Sequence, residues 1–193
     1  IDGIKNHLQR NASDLLNSQR VRMIMGTARF TSPNSVQVDG PDGPEHIEFD
    51  AALVSTGSRP RIRDWCQPDG DRILTTRDWY PPKVIPEHIT VIGSGVTGVE
   101  FVHMFSSLGS KVTLVVSRQL VLPGKDPEVA AVLEDDFMQR GVKLLKGARA
   151  EVIERDDNGD VVVRCDDGRV VRATHAVLAI GSVPNTDGLG LAH

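Results

Sequence analysis

The stretch VIGSGVTGVEF, residues 91–101, constrains the fold more than any other part of the chain. It sets Gly93, Gly95 and Gly98 in a G-x-G-x-x-G pattern between an apolar run, HITVI, and a segment of helical character. The spacing has a mechanical reason. The first glycine makes a tight turn out of a strand, the second lets backbone approach a pyrophosphate, and the third lets a helix press on the strand. Phosphate charge then meets free backbone N–H groups and the positive end of the helix dipole. A strand before the motif and a helix after it make this a dinucleotide-binding turn rather than a plain glycine-rich loop. The residues assigned to that turn are Gly93, Ser94, Gly95, Val96, Thr97 and Gly98.

The neighbouring segments supply a parallel sheet. Residues 95–108 read as a helix closed by Gly109, KVTLVV as a second strand and VKLL as a third. Between those strands, Asp126 as N-cap and Pro127 at the first helical position open a helix that stops at Gly141. Polarity then alternates through AEVIER, DVVVRC and RVVRA, with DDNG and DDG as tight turns, before HAVLAIG returns as a buried strand. This order predicts an α/β fold: a small doubly wound, Rossmann-like parallel sheet with helices and an antiparallel β-meander.

Upstream, residues 1–60 read as a separate, partial domain. Ile1, Ile4, Leu8, Leu15 and Leu16 fall at helical spacing and form a face that packs on a sheet. The runs VRMIM, ARFT, SVQVD and HIEFD follow as a meander feeding a buried strand, AALVSTG. Residues 61–87, rich in proline and holding both tryptophans, are expected to be a connector with one short helix near 76–80. Residues 88–181 form the dinucleotide-binding domain, and 182–193 begin a return to the first domain. Both ends look cut, so the chain reads as a piece of a longer protein.

Composition narrows the partners. A formal net charge of -4 gives no basic field to recruit nucleic acid or an anionic membrane. The one dense basic run, Arg59 to Arg63, reads as a solvated loop. Cys66 and Cys165 match no zinc or redox spacing, so they are taken as unpaired thiols of a reducing cytoplasm, and no metal site is expected. No apolar run approaches the ~20 residues of a membrane helix.

The second strand bears on coenzyme choice. Strict NAD sites carry an acid at its end, which holds the adenine ribose hydroxyls. Here Val116 occupies that place, followed by Ser117 and Arg118. With no carboxylate to repel a 2′-phosphate, and a hydroxyl and a guanidinium to receive one, the sequence leans towards NADP(H) or tolerance of NAD as well.

Three motifs in order resemble the central part of the pyridine nucleotide-disulfide oxidoreductase flavoproteins, the family of dihydrolipoamide dehydrogenase and soluble pyridine nucleotide transhydrogenase. LVSTGSRP is similar to its A-T-G-S-x-P segment, VIGSGVTGVEF to its second glycine motif, and LAIGSVPNTDGLGL to its A-x-G-R-x-P-N segment. The resemblance implies that Thr56, Gly57 and Ser58 approach FAD, with the Ala28 backbone touching it. It implies that Glu100 lies near the nicotinamide carboxamide, and that Ala150 and Gly181 line the adenosine and nicotinamide ends. It also implies an FAD-bearing parent that dimerises through a domain missing here, with the FAD fingerprint and any redox cysteine pair outside this chain.

Two functions remain open from sequence. One is the NAD(P)H-binding part of an FAD-dependent oxidoreductase that passes electrons to a disulfide, a quinone or a second pyridine nucleotide. The other is an isolated NAD(P)-binding module without turnover. No catalytic residue is assigned within the chain. A direct alcohol or aldehyde dehydrogenase is rejected, because Tyr80 lies in the connector and reads as a packing residue, and His88, His103 and His175 have no paired carboxylate at an interpretable spacing.

Overall fold

The computed structural model describes residues 2–80 and 82–191 and divides into two units. Ile1, expected on the apolar face of the first helix, lies outside the described residues. The first unit joins Ile1–Gly57 to Pro184–His193, and the second is Ser58–Val183.

In the first unit, helix α1 (Asp2–Ser18) is followed by strands β1 (Thr27–Ser32), β2 (Ser35–Gly40) and β3 (Gly43–Glu48). The strands form an antiparallel sheet in the order β1-β2-β3, in which Ala28 faces Val38. Three expectations fail in this unit. The apolar face of α1 is left uncovered by the described residues, and Ile4 is 68 % exposed. VRMIM is irregular, and AALVSTG forms no strand, leaving Leu53 92 % exposed. Hydrophobicity makes a buried strand only where a second layer covers it and neighbouring backbone pairs with it. The described part of this unit leaves residues 51–57 exposed and pairs their backbone with other backbone at Gly57 alone, whose carbonyl accepts from the Asn185 N–H.

The second unit contains β4 (Ser58–Pro60), β5 (Ile73–Thr75), β6 (His88–Ile92), α2 (Val96–Ser107), β7 (Lys111–Val116), α3 (Pro127–Gln139), β8 (Lys143–Lys146), β9 (Ala150–Arg155), β10 (Val161–Cys165), β11 (Val170–Ala173), β12 (His175–Leu178) and the first two residues of β13 (Ser182–Pro184). Its centre is a five-stranded parallel sheet in the order β5-β12-β6-β7-β8. An antiparallel sheet, β11-β10-β9, stands in the crossover between β8 and β12 where a third helix would otherwise run.

Alternation along the parallel strands builds two cores. Ile89, Val91, Leu114, Val116 and Val177 join the core that holds Phe101 and Phe105 of α2 and Phe137 of α3. Ile92, Val115, Ala176 and Leu178 join Ile153, Val161, Val163 and Val171 of the antiparallel sheet. Covered on both faces, the strands are apolar throughout rather than alternating, as their sequences indicate. The result is three layers: helices, parallel sheet, antiparallel sheet.

Local chemistry fixes the ends. Asp126 caps α3, its carboxylate accepting from the backbone N–H of Glu128 at 2.8 Å and of Val129 at 3.4 Å. Such a cap stabilises by about 1 kcal/mol. Gly141 ends the same helix at φ +80, a region in which a side chain is strained.

The stretch expected to be a connector belongs to this second unit. It provides β5 at the sheet edge, and Trp79, 1 % exposed, meets Phe105 edge-on with centroids 4.8 Å apart. Residues 76–80 form a turn, not a short helix. Asp78 sets that turn by accepting from both the N–H and the hydroxyl of Thr75 at 2.7 Å.

Candidate functional site

The parallel strands all end on one edge, and the turns that leave β6, β7, β8 and β12 share a cavity of about 600 Å³. Gly93 enters it from β6, Ser117 from β7, Ala150 from β9 just beyond β8, and Ile180 from beyond β12. Because β6 runs on through α2 to β7 while β12 lies on its other side, Gly93 and Ile180 mark the point where the strand order reverses. Open α/β sheets bind their ligands at that crevice.

Within the turn the three glycines have different physical reasons. Gly93 lies at φ +106, and a Cβ there would collide with the Ala179 carbonyl, whose carbon would be 2.8 Å away. A Cβ on Gly98 would fall on the carbonyl of Gly93, with its carbon at 2.9 Å. Gly95 differs: its φ of −71 suits any residue, and a Cβ there would meet nothing within 4 Å. It is the N-cap of α2 and makes no side-chain cap, so the first N–H groups of the helix are left for an outside acceptor.

The loop after β7 is tied to this turn. The N–H of Leu122 donates to the Ser94 carbonyl at 2.7 Å, and buried Glu134 accepts from the N–H of Val121 at 2.9 Å and from the Lys146 ammonium at 2.6 Å. Leu122 sits at φ +50, a strained position for leucine that these bonds hold in place.

Of Val116, Ser117 and Arg118, the residues expected from sequence to choose the coenzyme, only Ser117 lines the cavity. Val116 is 0 % exposed and turned into the helix-side core. A carboxylate at this position would therefore be buried in that core rather than presented to a ribose. Arg118 lines a different hollow with Gln119, Pro123 and Ala130. Val96, Thr97 and Glu100 are exposed on α2, and no hydrogen bond engages the Glu100 carboxylate among the described residues. Gly181, at φ +99, accepts from the Arg61 N–H at 2.9 Å, which places it beside the cavity wall.

The basic run, read as a solvated loop, is exposed at Ile62 and Arg63, and Arg61 and Arg63 are also among the residues lining the cavity with Gly93 and Ser117, where exposed Arg149 joins them. The Arg61 guanidinium donates to the Ser182 carbonyl at 3.1 Å.

The residues assigned to FAD fall elsewhere. Ala28 and Thr56 line a cavity of about 270 Å³ in the first unit, with Phe30, Val36 and Phe49. The Thr56 hydroxyl donates to the Asn185 carbonyl at 2.8 Å, and the Asn185 N–H donates to the Gly57 carbonyl at 2.9 Å. Ser58, in the second unit, receives an Arg77 guanidinium on its carbonyl at 2.8 Å.

A cavity of about 540 Å³ lies at the opposite edge of the parallel sheet, lined by Arg72, Trp79, Glu87 and His175. Its one glycine among the lining residues is Gly70, outside any G-x-G-x-x-G pattern. Burial pushes the His175 imidazole below the ordinary histidine range, Arg72 and Arg155 acting with it and Asp71 and Asp69 against it. Burial lowers His88 too, with Lys111 and Lys143 adding to the effect and Glu87 opposing it. The unfolded chain takes up these protons near pH 6.5, about the free histidine value, and the folded chain only below it. The unfolded state thus binds more protons in that interval, and stability falls as pH drops through it. Urea unfolding midpoints are expected to be lower at pH 5.5 than at pH 7.5, with a smaller difference in His175→Gln. Equal midpoints at both pH values would contradict this.

Among the described residues, no group of three or more His, Cys, Asp or Glu is placed to hold a metal, and no helix is long and apolar enough to cross a membrane. His103 takes its contacts from Arg140, which approaches its Nδ1 at 3.1 Å and donates to its carbonyl at 3.2 Å.

Residues 3–193 match the family model described as pyridine nucleotide-disulphide oxidoreductase. The chain is 52 % identical over 147 residues to an NAD(P)H dehydrogenase (quinone) of Mycobacterium tuberculosis, covering 76 % of this chain and 29 % of that protein. It is 34 % identical to dihydrolipoyl dehydrogenase 2 of Haloarcula marismortui, covering 98 % of this chain and 42 % of the relative. Among solved structures it superimposes on LpdA from Mycobacterium tuberculosis with a TM-score of 0.84 at 42 % identity, over 98 % of this chain and 42 % of that one. A mutant of the flavoprotein disulfide reductase RclA from Escherichia coli, solved as a Cu(II) complex, gives 0.78 at 26 % identity, over 97 % and 43 %. The chain therefore spans less than half the length of these relatives.

Proposed function

The chain belongs to the pyridine nucleotide-disulphide oxidoreductase family, and from that premise we propose that it is the NAD(P)H-binding part of an FAD-dependent oxidoreductase. In the whole protein, hydride passes from NAD(P)H to flavin and on to a disulfide, a quinone or a second pyridine nucleotide. A quinone-named relative at 52 % identity favours a quinone acceptor, and a disulfide reductase among the structural neighbours keeps the disulfide open.

The observation that carries the nucleotide reading is Gly95. Gly93 and Gly98 are explained by contacts inside the chain, but nothing among the described residues asks for glycine at 95. A pyrophosphate approaching uncapped N–H groups at the start of α2 does ask for it. The adjoining cavity of about 600 Å³ lies in the size range of cofactor sites, and three arginines are among its lining residues. The nicotinamide supplies the chemistry when bound. The chain's own residues bind and orient it: the turn 93–98 on the phosphates, Ser117 and Ala150 towards the adenosine, Glu100 and Gly181 towards the nicotinamide.

The FAD side fits less well. The cavity lined by Ala28 and Thr56 is about 270 Å³, apolar and without a glycine turn, below the usual range for a site of that kind. This favours a second reading of the chain by itself, as an NAD(P)-binding module without turnover. The purified chain, incubated with FAD and desalted, is expected to show no absorbance at about 450 nm, where flavins absorb. It is expected still to bind NADH or NADPH in a fluorescence titration. Retained flavin would overturn the module reading, and failure to bind either nucleotide would overturn the NAD(P)H assignment.

A further inference from the structure

Over the antiparallel sheet, arginines are matched to carboxylates. Arg155 meets Asp71 at 3.0 Å, Arg164 meets Glu154 at 3.1 Å, Arg169 meets Asp167 at 2.6 Å, and Arg172 pairs with Asp156. At the cavity the pattern changes. Among the described residues, the guanidinium groups of Arg63 and Arg149 make no hydrogen bond or ion pair, although both line it. Asp64 is the one carboxylate in that lining, against three arginines.

The backbone around Arg149 is held firmly. Its N–H donates to the Asp166 carboxylate at 3.0 Å, and its carbonyl accepts from the Asp166 N–H at 2.9 Å. It stands between Ala148 and Ala150, both buried. The loop that carries it is stitched to the loop that carries Ser117. The Ala148 N–H donates to the Val116 carbonyl at 3.1 Å, and the Gly147 N–H donates to the Arg118 carbonyl at 3.0 Å. Ser117 is thus bracketed by two bonds to the segment leading into Arg149. The end of this second strand is where nucleotide folds read the adenine ribose.

Resting on the NAD(P)H reading above, we propose that Arg149, assisted by Arg63 and the Ser117 hydroxyl, receives the 2′-phosphate of NADP(H) and sets the preference between coenzymes. The pyrophosphate common to both coenzymes is served by the start of α2 and needs no side-chain cation. The unmatched guanidinium groups are available for the one anion that NADP(H) has and NAD(H) lacks. Arg118, turned to another hollow, has no part in it.

The test uses a pair of probes that differ only in the 2′-phosphate, 2′,5′-ADP and 5′-AMP, titrated calorimetrically into the 193-residue chain at low salt. The chain is expected to bind 2′,5′-ADP at least tenfold more tightly than 5′-AMP. Arg149→Gln is expected to remove about tenfold of that preference while the 5′-AMP affinity stays within about twofold, the scale of one charge-assisted contact. Arg63→Gln should lose less in the same direction, and Arg164→Gln, on the outer sheet, nothing. Arg149→Lys, which keeps the charge, should retain part of the preference and decides the matter if the glutamine variant is poorly folded by circular dichroism. A chain with no preference, a preference that survives Arg149→Gln, or one lost in Arg118→Gln instead would overturn the proposal alone. If 5′-AMP and NADH also fail to bind, the NAD(P)H assignment falls with it.

Discussion

Replacing Gly98 by alanine is expected to destabilise the second unit by about 3 kcal/mol or more, although alanine is the better helix former. The gain from helix propensity is about 1 kcal/mol. Against it, the new methyl would fall on the carbonyl of Gly93. That carbonyl has little freedom to move, because the Gly93 N–H is bonded to the Val115 carbonyl at 3.2 Å and φ is +106. Overpacking against side chains typically costs about 1–3 kcal/mol, and backbone yields less readily than a side chain. The clash therefore outweighs the propensity gain. Guanidinium unfolding followed by circular dichroism measures the difference, and a wild-type midpoint would mean that α2 and β6 do not cross as closely as described.

Gly95→Ala is expected to do the reverse: leave stability nearly unchanged and weaken NAD(P)H at least tenfold. A glycine-to-alanine change at a permitted φ stabilises by about 0.4–1 kcal/mol through the unfolded chain. Alanine as N-cap gives back a few tenths of a kcal/mol or more. With φ −71 and open space around the new methyl, the two effects nearly cancel. Binding is another matter, because the methyl would stand where a pyrophosphate approaches the N–H groups of α2. Unfolding and nucleotide titrations on the same two variants separate the glycine that holds the fold from the glycine that holds the ligand. If Gly95→Ala bound NADPH as tightly as the parent chain, the open space above residue 95 would have no ligand-related meaning.

The second unit was largely legible in sequence because its boundaries rest on local chemistry. Asp126 and Pro127 begin α3, Gly109 and Gly141 end helices at positive φ, and KVTLVV is β7 to the residue. These signals act within a few residues of themselves. What escaped depended on distant partners. β5 is three residues long and is a strand only because Ala176 to Leu178 run beside it. Trp79 is core only because Phe105 meets it. Conversely, AALVSTG and the face of α1 have the composition of buried elements, yet they lie exposed where the described residues offer nothing to cover them.

The candidate site divides along the same line. The glycine turn was found by spacing, and its neighbours Ser117, Ala150 and Gly181 lie at or beside the cavity. Arg61, Arg63 and Arg149 were not found, because no local pattern separates an arginine facing a cavity from one facing water. Strand alternation did carry a usable warning for Val116. Its neighbours at Val112 and Leu114 face the helix-side core, so residue 116 was bound to face it as well.

The central claim is that a pyridine nucleotide binds at the carboxyl edge of the parallel sheet. Titrating NADPH into the ¹⁵N-labelled chain and following backbone amide shifts tests it most directly. The shifts are expected to concentrate at Gly93 to Gly98, at Ser117 and at Ala148 to Ala150, and to be absent around Trp79 and His175 at the opposite edge. No shifts, or shifts gathered about Trp79 and His175, would contradict it.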